Sequence, residues 1–126
     1  MIQQQTILKV SDNSGAKTAK CIKVLNGFKK KFASTGDIIT VSIQHLRKKM
    51  KVTSKVKKGE IYKALVIRTK AKMKYKDNNI IYFNENAISL LNKHNNPIAT
   101  RIIGPVSRKL KKARYQKFLS ISLGFI

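Results

Sequence analysis

The stretch IYKALVIRT, residues 61–69, is a nearly continuous apolar run that follows the turn-forming pair Gly59-Glu60. A strand with one solvated face alternates apolar and polar residues, whereas a strand buried on both faces does not. The run therefore predicts a β-strand that is covered on both faces over part of its length.

Shorter β-type segments lie on both sides of this strand and are separated by turn signals. Residues 38–44 alternate, with Ile39, Val41 and Ile43 on one face and Thr40 and Ser42 on the other. Further strands are predicted at residues 6–10, 17–25, 80–83 and 87–91. Five or so short strands in so small a chain predict a mainly β fold, a small five-stranded β-barrel, because closure removes exposed sheet edges.

Helix-compatible sequence is confined to the C-terminal part of the chain. After turn signals at residues 95–97 and 104–105, residues 106–119 place Val106, Leu110 and Ala113 at helical spacing. We therefore predict short C-terminal helices. A chain of 126 residues has room for one domain. We expect a barrel over about residues 1–104 and a helical segment over about 105–120.

The charge of the chain is extreme, with 28 Lys and Arg against five carboxylates and a formal net charge of +23. Such a field weakens the compact state unless a polyanion supplies the counter-charge. The 42% content of hydrophobic residues excludes a highly charged disordered chain. No apolar run reaches the roughly 18 residues of a membrane span, and the N-terminus leads directly into a strand, so we expect no targeting peptide. The composition predicts a folded domain that binds nucleic acid.

Catalytic and metal-binding patterns are not found in the sequence. The five carboxylates are scattered and most lie at turns, so no acid–base pair is indicated. A ribonuclease-like pair of His45 and His94 is disfavoured because both lie at loop edges. The single Cys21 is interpreted as a core thiol, and no zinc-ligand spacing exists. We expect no enzyme activity, no metal and no cofactor.

Cationic loops are the feature that points to chemistry. Residues 47–58 (RKKMKVTSKVKK) contain seven basic residues and no carboxylate, and we predict that they form a projecting basic β-hairpin. About eight phosphate contacts would give a log–log salt slope of about −6 to −7. Lys17 and Lys20 are as readily interpreted as solvated strand residues. The candidate RNA contacts are Lys17, Lys20, Lys29, Lys30, Lys31, Arg47, Lys48, Lys49, Lys51, Lys55, Lys57, Lys58, Arg68, Lys70, Arg108 and Lys109.

Five segments, in order and at the right spacing, resemble the universal large-subunit ribosomal protein family L14. They are MIQQQTILKVSDNSGAK, CIKVLNG, GDIITVSI, KVKKGEIYKALVIRTK and NPIATRIIGPVSRKL. The resemblance implies a five-stranded barrel with a basic hairpin and C-terminal helices. It also implies large-subunit rRNA at the intersubunit face, a bridge to small-subunit rRNA and neighbouring ribosomal proteins as partners, without catalysis.

The resemblance also implies a docking surface for a ribosome-silencing factor. The matching positions here are Thr100, Arg101 and Lys117. The chain departs from the family pattern at Asn78, where a turn glycine is usual. Glycine at such a position often signals a positive φ, so the asparagine bears on the geometry of this turn.

Two other functions fit parts of the same sequence. A free-standing histone-like nucleic-acid-binding module would use the same charge, and a basic ribonuclease would use the two histidines. Composition also suggests the compartment, since Lys (23) far exceeds Arg (5), as an A/T-rich genome would favour. We favour a ribosome in the mitochondrial matrix, with the bacterial cytoplasm or a plastid as alternatives.

Overall fold

Five strands close into a barrel in the computed structural model, which describes residues 1–50 and 52–126. The barrel order is β1-β2-β3-β4-β7, with β1 parallel to β7 and all other neighbours antiparallel. The predicted five-stranded barrel is thus confirmed. The strands are β1 Ile7–Val10, β2 Ala16–Val24, β3 Ile38–Leu46, β4 Ile61–Arg68, β5 Met73–Lys74, β6 Ile80–Ile81 and β7 Ala87–Leu91.

Strand β4 is buried on both faces, as its apolar run predicts. Ala64 and Val66 point into the barrel, where they join one core cluster. Leu65 and Ile67 point outward into a second cluster, which the C-terminal segment covers. Each large apolar side chain that is buried fully contributes about 1.5–3 kcal/mol, so β4 links the two cores and fixes the C-terminal segment against the barrel.

The C-terminal segment forms short helices, as predicted, but no continuous helix spans residues 106–119, the range with helical spacing. It contains the 3₁₀ helices Arg108–Leu110 and Ala113–Tyr115 and the short helix α1 Gln116–Ser120. Val106 and Leu110 are buried, but Tyr115 and Phe118 complete the buried face. The reason is a competing pairing: Val106 N–H donates to the Gly124 carbonyl at 3.1 Å and Arg108 N–H donates to the Ile126 carbonyl at 2.7 Å. This pairing requires extended backbone at 106, where a helix would otherwise begin.

The predicted projecting hairpin is also absent from the described residues of the 47–58 segment. The segment contains the 3₁₀ helix Lys48–Met50 and turns, and its backbone bonds to a neighbouring turn. Arg47 N–H donates to the Gly15 carbonyl and Lys55 N–H to the Ser14 carbonyl, both at 2.9 Å. Val56 is buried in the barrel core. Because both ends bond to this turn, residues 47–58 form a loop anchored at one end of the barrel.

The small hairpin of the structure is formed by β5 and β6 instead. Its turn contains Asn78 at φ 59°, which is the position where the family pattern has glycine. Asn tolerates this left-handed conformation better than most residues, so the departure keeps the turn. Tyr75 Oη lies 2.8 Å from Ser107 Oγ and joins this hairpin to the C-terminal segment.

Cys21 lies in the barrel core, as the sequence predicts. Burial raises the pKa of its thiol, because an apolar environment disfavours the thiolate. No helix within the described ranges is long and apolar enough to cross a membrane.

Candidate nucleic-acid interface

The turn at residues 12–15 positions two of the predicted functional segments. The Asp12 carboxylate is fully buried and accepts from Leu90 N–H at 2.8 Å and from Ser14 N–H at 3.1 Å. Gly15 has φ 102°, which favours glycine. The carbonyls of Ser14 and Gly15 hold the 47–58 loop, as described above. The turn therefore attaches the basic loop rigidly to the barrel.

The Asn13 side chain of the same turn fixes the predicted partner surface. Its amide donates to Thr100 Oγ1 at 2.8 Å, and its Oδ1 accepts from the backbone N–H groups of Thr100 at 3.0 Å and Arg101 at 3.2 Å. Thr100 and Arg101 are both exposed. Lys117 donates to Asn96 Oδ1 at 2.8 Å, so all three predicted partner residues lie on or against residues 96–101.

A basic groove of about 500 Å³ brings three of the predicted RNA contacts together. Its lining includes Lys17 from β2, Lys48 from the 47–58 loop and Lys58 from the end of that loop, and we call it the histidine groove. Thr18 Oγ1 lies 2.9 Å from His45 Nδ1 within it. The described lining contains no carboxylate, so no ion pair within the groove compensates the charge of its lysines.

A second basic groove of about 780 Å³ lies at the loop of residues 26–31. Three amide side chains contribute to it, so we call it the glutamine groove. Lys30 donates to the Asp37 carboxylate at 2.8 Å, which leaves its charge partly compensated. The polar side chains that line the groove are Gln3, Gln4, Gln5, Lys23, Lys29, Lys30 and Lys31.

Asp37 fixes the base of this loop. Burial alone would raise the pKa of Asp37, but the hydrogen bonds from the Lys30 ammonium and the Ser34 N–H, together with the Lys30 charge, lower it below its usual range. The carboxylate therefore stays ionised and holds the loop throughout the neutral range.

Lys109 lies in a third cationic depression, beside Lys112 and Arg114. Lys112 and Arg114 are not among the RNA contacts that the sequence predicts. They would have been found only by knowing that 3₁₀ turns, rather than a helix, present all three side chains to one depression.

Arg68 requires a correction, because it is interior and not on the cationic surface. Its side chain is 5% exposed. Its Nη1 donates to the carbonyls of Ile103 at 3.0 Å and Pro105 at 2.8 Å, and its Nη2 contacts Ser11 Oγ and Glu85. Burial lowers the pKa of Arg68, while Glu85 opposes that shift. We therefore exclude Arg68 from the proposed RNA surface.

The other candidates differ in how free their charges are. Arg47 is half-buried and donates to the Val10 carbonyl at 3.1 Å, and Lys55 contacts the Ile98 carbonyl at 3.4 Å. Arg108 lies 3.7 Å from Asp77 and packs over the Tyr75 ring. Lys20 is half-buried, and Lys51 lies outside the described residues. The exposed candidates are Lys17, Lys29, Lys31, Lys48, Lys49, Lys55, Lys57, Lys58, Lys70, Arg108 and Lys109.

All five carboxylates are engaged within the protein. Asp12 is buried in its turn, Glu60 accepts from Tyr62 Oη at 2.6 Å, and Glu85 accepts from Lys9 at 2.8 Å. The hydrogen bond from Lys9 lowers the pKa of Glu85. The hydrogen bonds from Tyr62 Oη and the Lys57 N–H lower the pKa of Glu60. Burial, followed by the hydrogen bond to Glu60 and its charge, raises the pKa of Tyr62 to about 12. Among the described residues four cations are ion-paired, namely Lys9, Lys30, Arg68 and Arg108.

The two histidines do not form a catalytic pair. His45 bonds to Thr18 in the histidine groove, while His94 N–H bonds to Asn92 in a separate turn. The described residues contain no group of three His, Cys, Asp or Glu side chains that could hold a metal ion. What the surface offers is uncompensated positive charge on a rigid barrel.

A family model described as Ribosomal protein L14p/L23e matches residues 1–126, the whole chain. The chain belongs to this family. The resemblance read from the five sequence segments is thereby confirmed. As a member of the L14p/L23e family the protein is a structural constituent of the large ribosomal subunit, and rRNA and neighbouring ribosomal proteins are its partners. The family is structural and non-enzymatic, and its place is the ribosome.

Proposed function

We propose that the protein binds large-subunit rRNA electrostatically, through the histidine groove, the glutamine groove and the other exposed candidate lysines and arginines. The observation that carries this proposal is the pairing of charges: every carboxylate is used inside the protein, and only four described cations are ion-paired. The remaining cations project from a barrel that is fixed by two cores. Exposed cations on such a barrel neutralise phosphates and release condensed counterions.

We further propose that this binding places the protein at the intersubunit face, where it contributes to a bridge with small-subunit rRNA. The family supports this location, and the surface of Thr100, Arg101 and Lys117 is a suitable contact for a protein partner. A ribosome-silencing factor would bind at this surface. The mitochondrial matrix is the compartment we favour for the source ribosome.

The salt dependence of RNA binding tests the electrostatic proposal. We expect the full chain to bind a folded fragment of large-subunit rRNA with a log–log slope of about −6 to −7 between 50 and 200 mM salt. The measurement is fluorescence anisotropy over that range. A slope of about −2 or weaker would show that few phosphates are contacted and would contradict the proposal.

Competition and sedimentation separate this function from the histone-like alternative. Duplex DNA of equal length, at equal salt, should compete at least tenfold less well than the folded rRNA fragment. Tagged protein should sediment with large subunits in a gradient prepared from its own source. Equal competition by DNA together with sedimentation away from subunits would support the histone-like module instead.

A substitution at Asn13 tests the partner surface without replacing Thr100, Arg101 or Lys117. Asn13→Ala removes three hydrogen bonds to Thr100 and Arg101. A net loss of about 1–2 kcal/mol in ordering these residues should weaken subunit joining by about fivefold to thirtyfold. Light scattering of reconstituted large subunits mixed with small subunits measures the effect.

The matched control is Asn79→Ala, at an exposed turn residue whose backbone carbonyl accepts from Tyr75 N–H at 2.9 Å. This control should join subunits at the wild-type level. If Asn13→Ala also does so, and Arg101→Ala does too, the surface around Thr100 is not part of the bridge.

A further inference from the structure

The loop of residues 26–31 presents an aromatic ring to solvent. Phe28 is 93% exposed, and the Lys29 ammonium lies 5.5 Å from the centre of its ring. A single exposed apolar residue carries no meaning by itself. What distinguishes Phe28 is its surroundings, which are a strained loop and the polar glutamine groove.

The backbone of this loop is fixed in one conformation. Asn26 has φ 65° and Lys29 has φ 50°, which for Lys is an uncommon left-handed geometry. A Cβ at Gly27 would lie 2.9 Å from Lys30 Cβ, so the chain there requires glycine. The Lys30–Asp37 ion pair and the two hydrogen bonds between Ile2 and Ala33 hold the far side of the loop. Phe28 is therefore displayed by a rigid loop.

The groove beside the loop contains the groups that bind a nucleotide. Lys23, Lys29 and Lys31 supply positive charge for phosphate, and the side chains of Gln3, Gln4 and Gln5 can both donate and accept hydrogen bonds. Exposed aromatic rings next to such cations stack on bases in proteins that bind single strands. The cores of protein–protein interfaces, in contrast, are depleted in Lys.

We propose that Phe28 and the glutamine groove form a binding site for one unpaired rRNA nucleotide. The Phe28 ring stacks on the base, the glutamine amides contact the base edge, and Lys29 and Lys31 contact the flanking phosphates. A paired base cannot reach the ring, because duplex RNA presents its backbone and 2′-hydroxyls to a protein. This inference rests on the proposed rRNA binding and specifies an unpaired nucleotide as the ligand at this loop.

Variants at position 28 test the site, since an almost fully exposed ring can be replaced without disturbing a core. The probes are a 12-nucleotide single-stranded oligoadenylate and a 12-base-pair RNA duplex, both bound to the full chain at the same salt. Phe28→Ala should weaken single-strand binding by about fivefold or more and change duplex binding less than twofold. Phe28→Trp should keep single-strand affinity, and Phe28→Leu should behave like Phe28→Ala.

The control is Phe125→Ala, at another exposed aromatic residue, 48% exposed, whose ring lies 5.3 Å from the Lys111 ammonium. It should leave single-strand affinity unchanged. Equal losses in both alanine variants, no loss in Phe28→Ala, or full binding by Phe28→Leu would each overturn the proposal. The last result would indicate an apolar contact with a neighbouring protein.

A photoreactive benzoylphenylalanine in place of Phe28, in assembled large subunits, gives a second readout. Crosslinks to rRNA support the site, and crosslinks to protein alone overturn it. Failure here is distinguishable from failure of the proposed function. If wild-type protein binds duplex and folded RNA steeply with salt while the Phe28 variants match it, only the stacking site is wrong.

Discussion

Replacing Arg68 by Met is expected to lower the free energy of unfolding by about 3–5 kcal/mol, since a buried, hydrogen-bonded charge loses its place in a network. The guanidinium bridges three parts of the chain: Ser11 after β1, Glu85 before β7, and the carbonyls of Ile103 and Pro105 in the C-terminal segment. Without it Ser11 Oγ and the two carbonyls lose their donor, whereas Glu85 keeps its bond from Lys9. A buried polar group that loses its partner costs more than the absent bond contributes.

The backbone around Arg68 shows how closely the chain is built around this side chain. Gly104 has φ 85°, and a Cβ there would lie 2.6 Å from Arg68 Nη1. Only glycine lets residues 103–105 approach the guanidinium at this distance. Arg68→Met therefore also loosens the docking of the C-terminal segment onto the outer face of β4.

Urea unfolding followed by circular dichroism measures this effect, and two further variants make it specific. Lys70→Met makes a similar change two residues away at an exposed position, and should alter stability by less than about 0.5 kcal/mol. Arg68→Lys keeps the charge but lacks the planar fork and should fall in between. A loss of under about 1 kcal/mol in Arg68→Met would contradict the assigned role.

RNA binding separates the structural role of Arg68 from a contact role. Under conditions where Arg68→Met remains folded, its salt slope for the rRNA fragment should equal that of the wild type, because the guanidinium faces the interior. A slope reduced by about one would instead mean that Arg68 meets a phosphate.

The barrel could be predicted from the sequence because the pattern of apolar residues within each strand indicates which of its faces are buried. Over residues 39–43 of β3 apolar and polar residues alternate, whereas residues 64–67 of β4 are all apolar, so the pattern predicts one covered face for that part of β3 and two for β4. No local pattern identifies the segment that covers the outer face of β4. That cover is the segment of residues 102–118, which is held by backbone pairing with residues 121–126.

In two segments the sequence pattern does not predict the local backbone, and the cause is shared. Residues 106–119 have helical spacing and residues 47–58 have the composition of a solvated hairpin, but in each segment some backbone hydrogen bonds go to partners that are distant in sequence. The partner of the first is the chain end, and the partner of the second is the 12–15 turn. Tertiary pairing overrides local preference in such cases.

Arg68 and Phe28 show the corresponding limit of sequence-based prediction for individual site residues. Arg68 ends a buried apolar run, and its charge alone suggested the surface. Phe28 lies in a cationic loop where the sequence allows base stacking, but its exposure and the geometry of the loop around it are known only from the structure. Charge and hydrophobicity predict average location, whereas contacts decide which individual residue is the exception.

Neutralising the lysines of the histidine groove is expected to weaken rRNA binding by about 100-fold at about 0.1 M salt. The variant is Lys17→Gln/Lys48→Gln/Lys58→Gln, chosen because these three side chains line one groove. Each phosphate contact releases about 0.7–0.9 counterion, which corresponds to about fivefold to eightfold in affinity at that salt. The log–log slope should become less negative by about two to three. Anisotropy titrations from 50 to 200 mM salt measure both quantities.

The matched control is Lys63→Gln/Lys76→Gln/Lys93→Gln, which neutralises three exposed lysines from separate parts of the surface. Both variants lower the net charge of +23 by the same amount. A general field effect would therefore weaken binding equally in the two, whereas direct phosphate contacts would affect the groove variant alone. We expect the control to lose less than about threefold in affinity and to keep its slope. Equal losses would mean that the barrel attracts RNA by its overall charge, without the histidine groove as a defined contact.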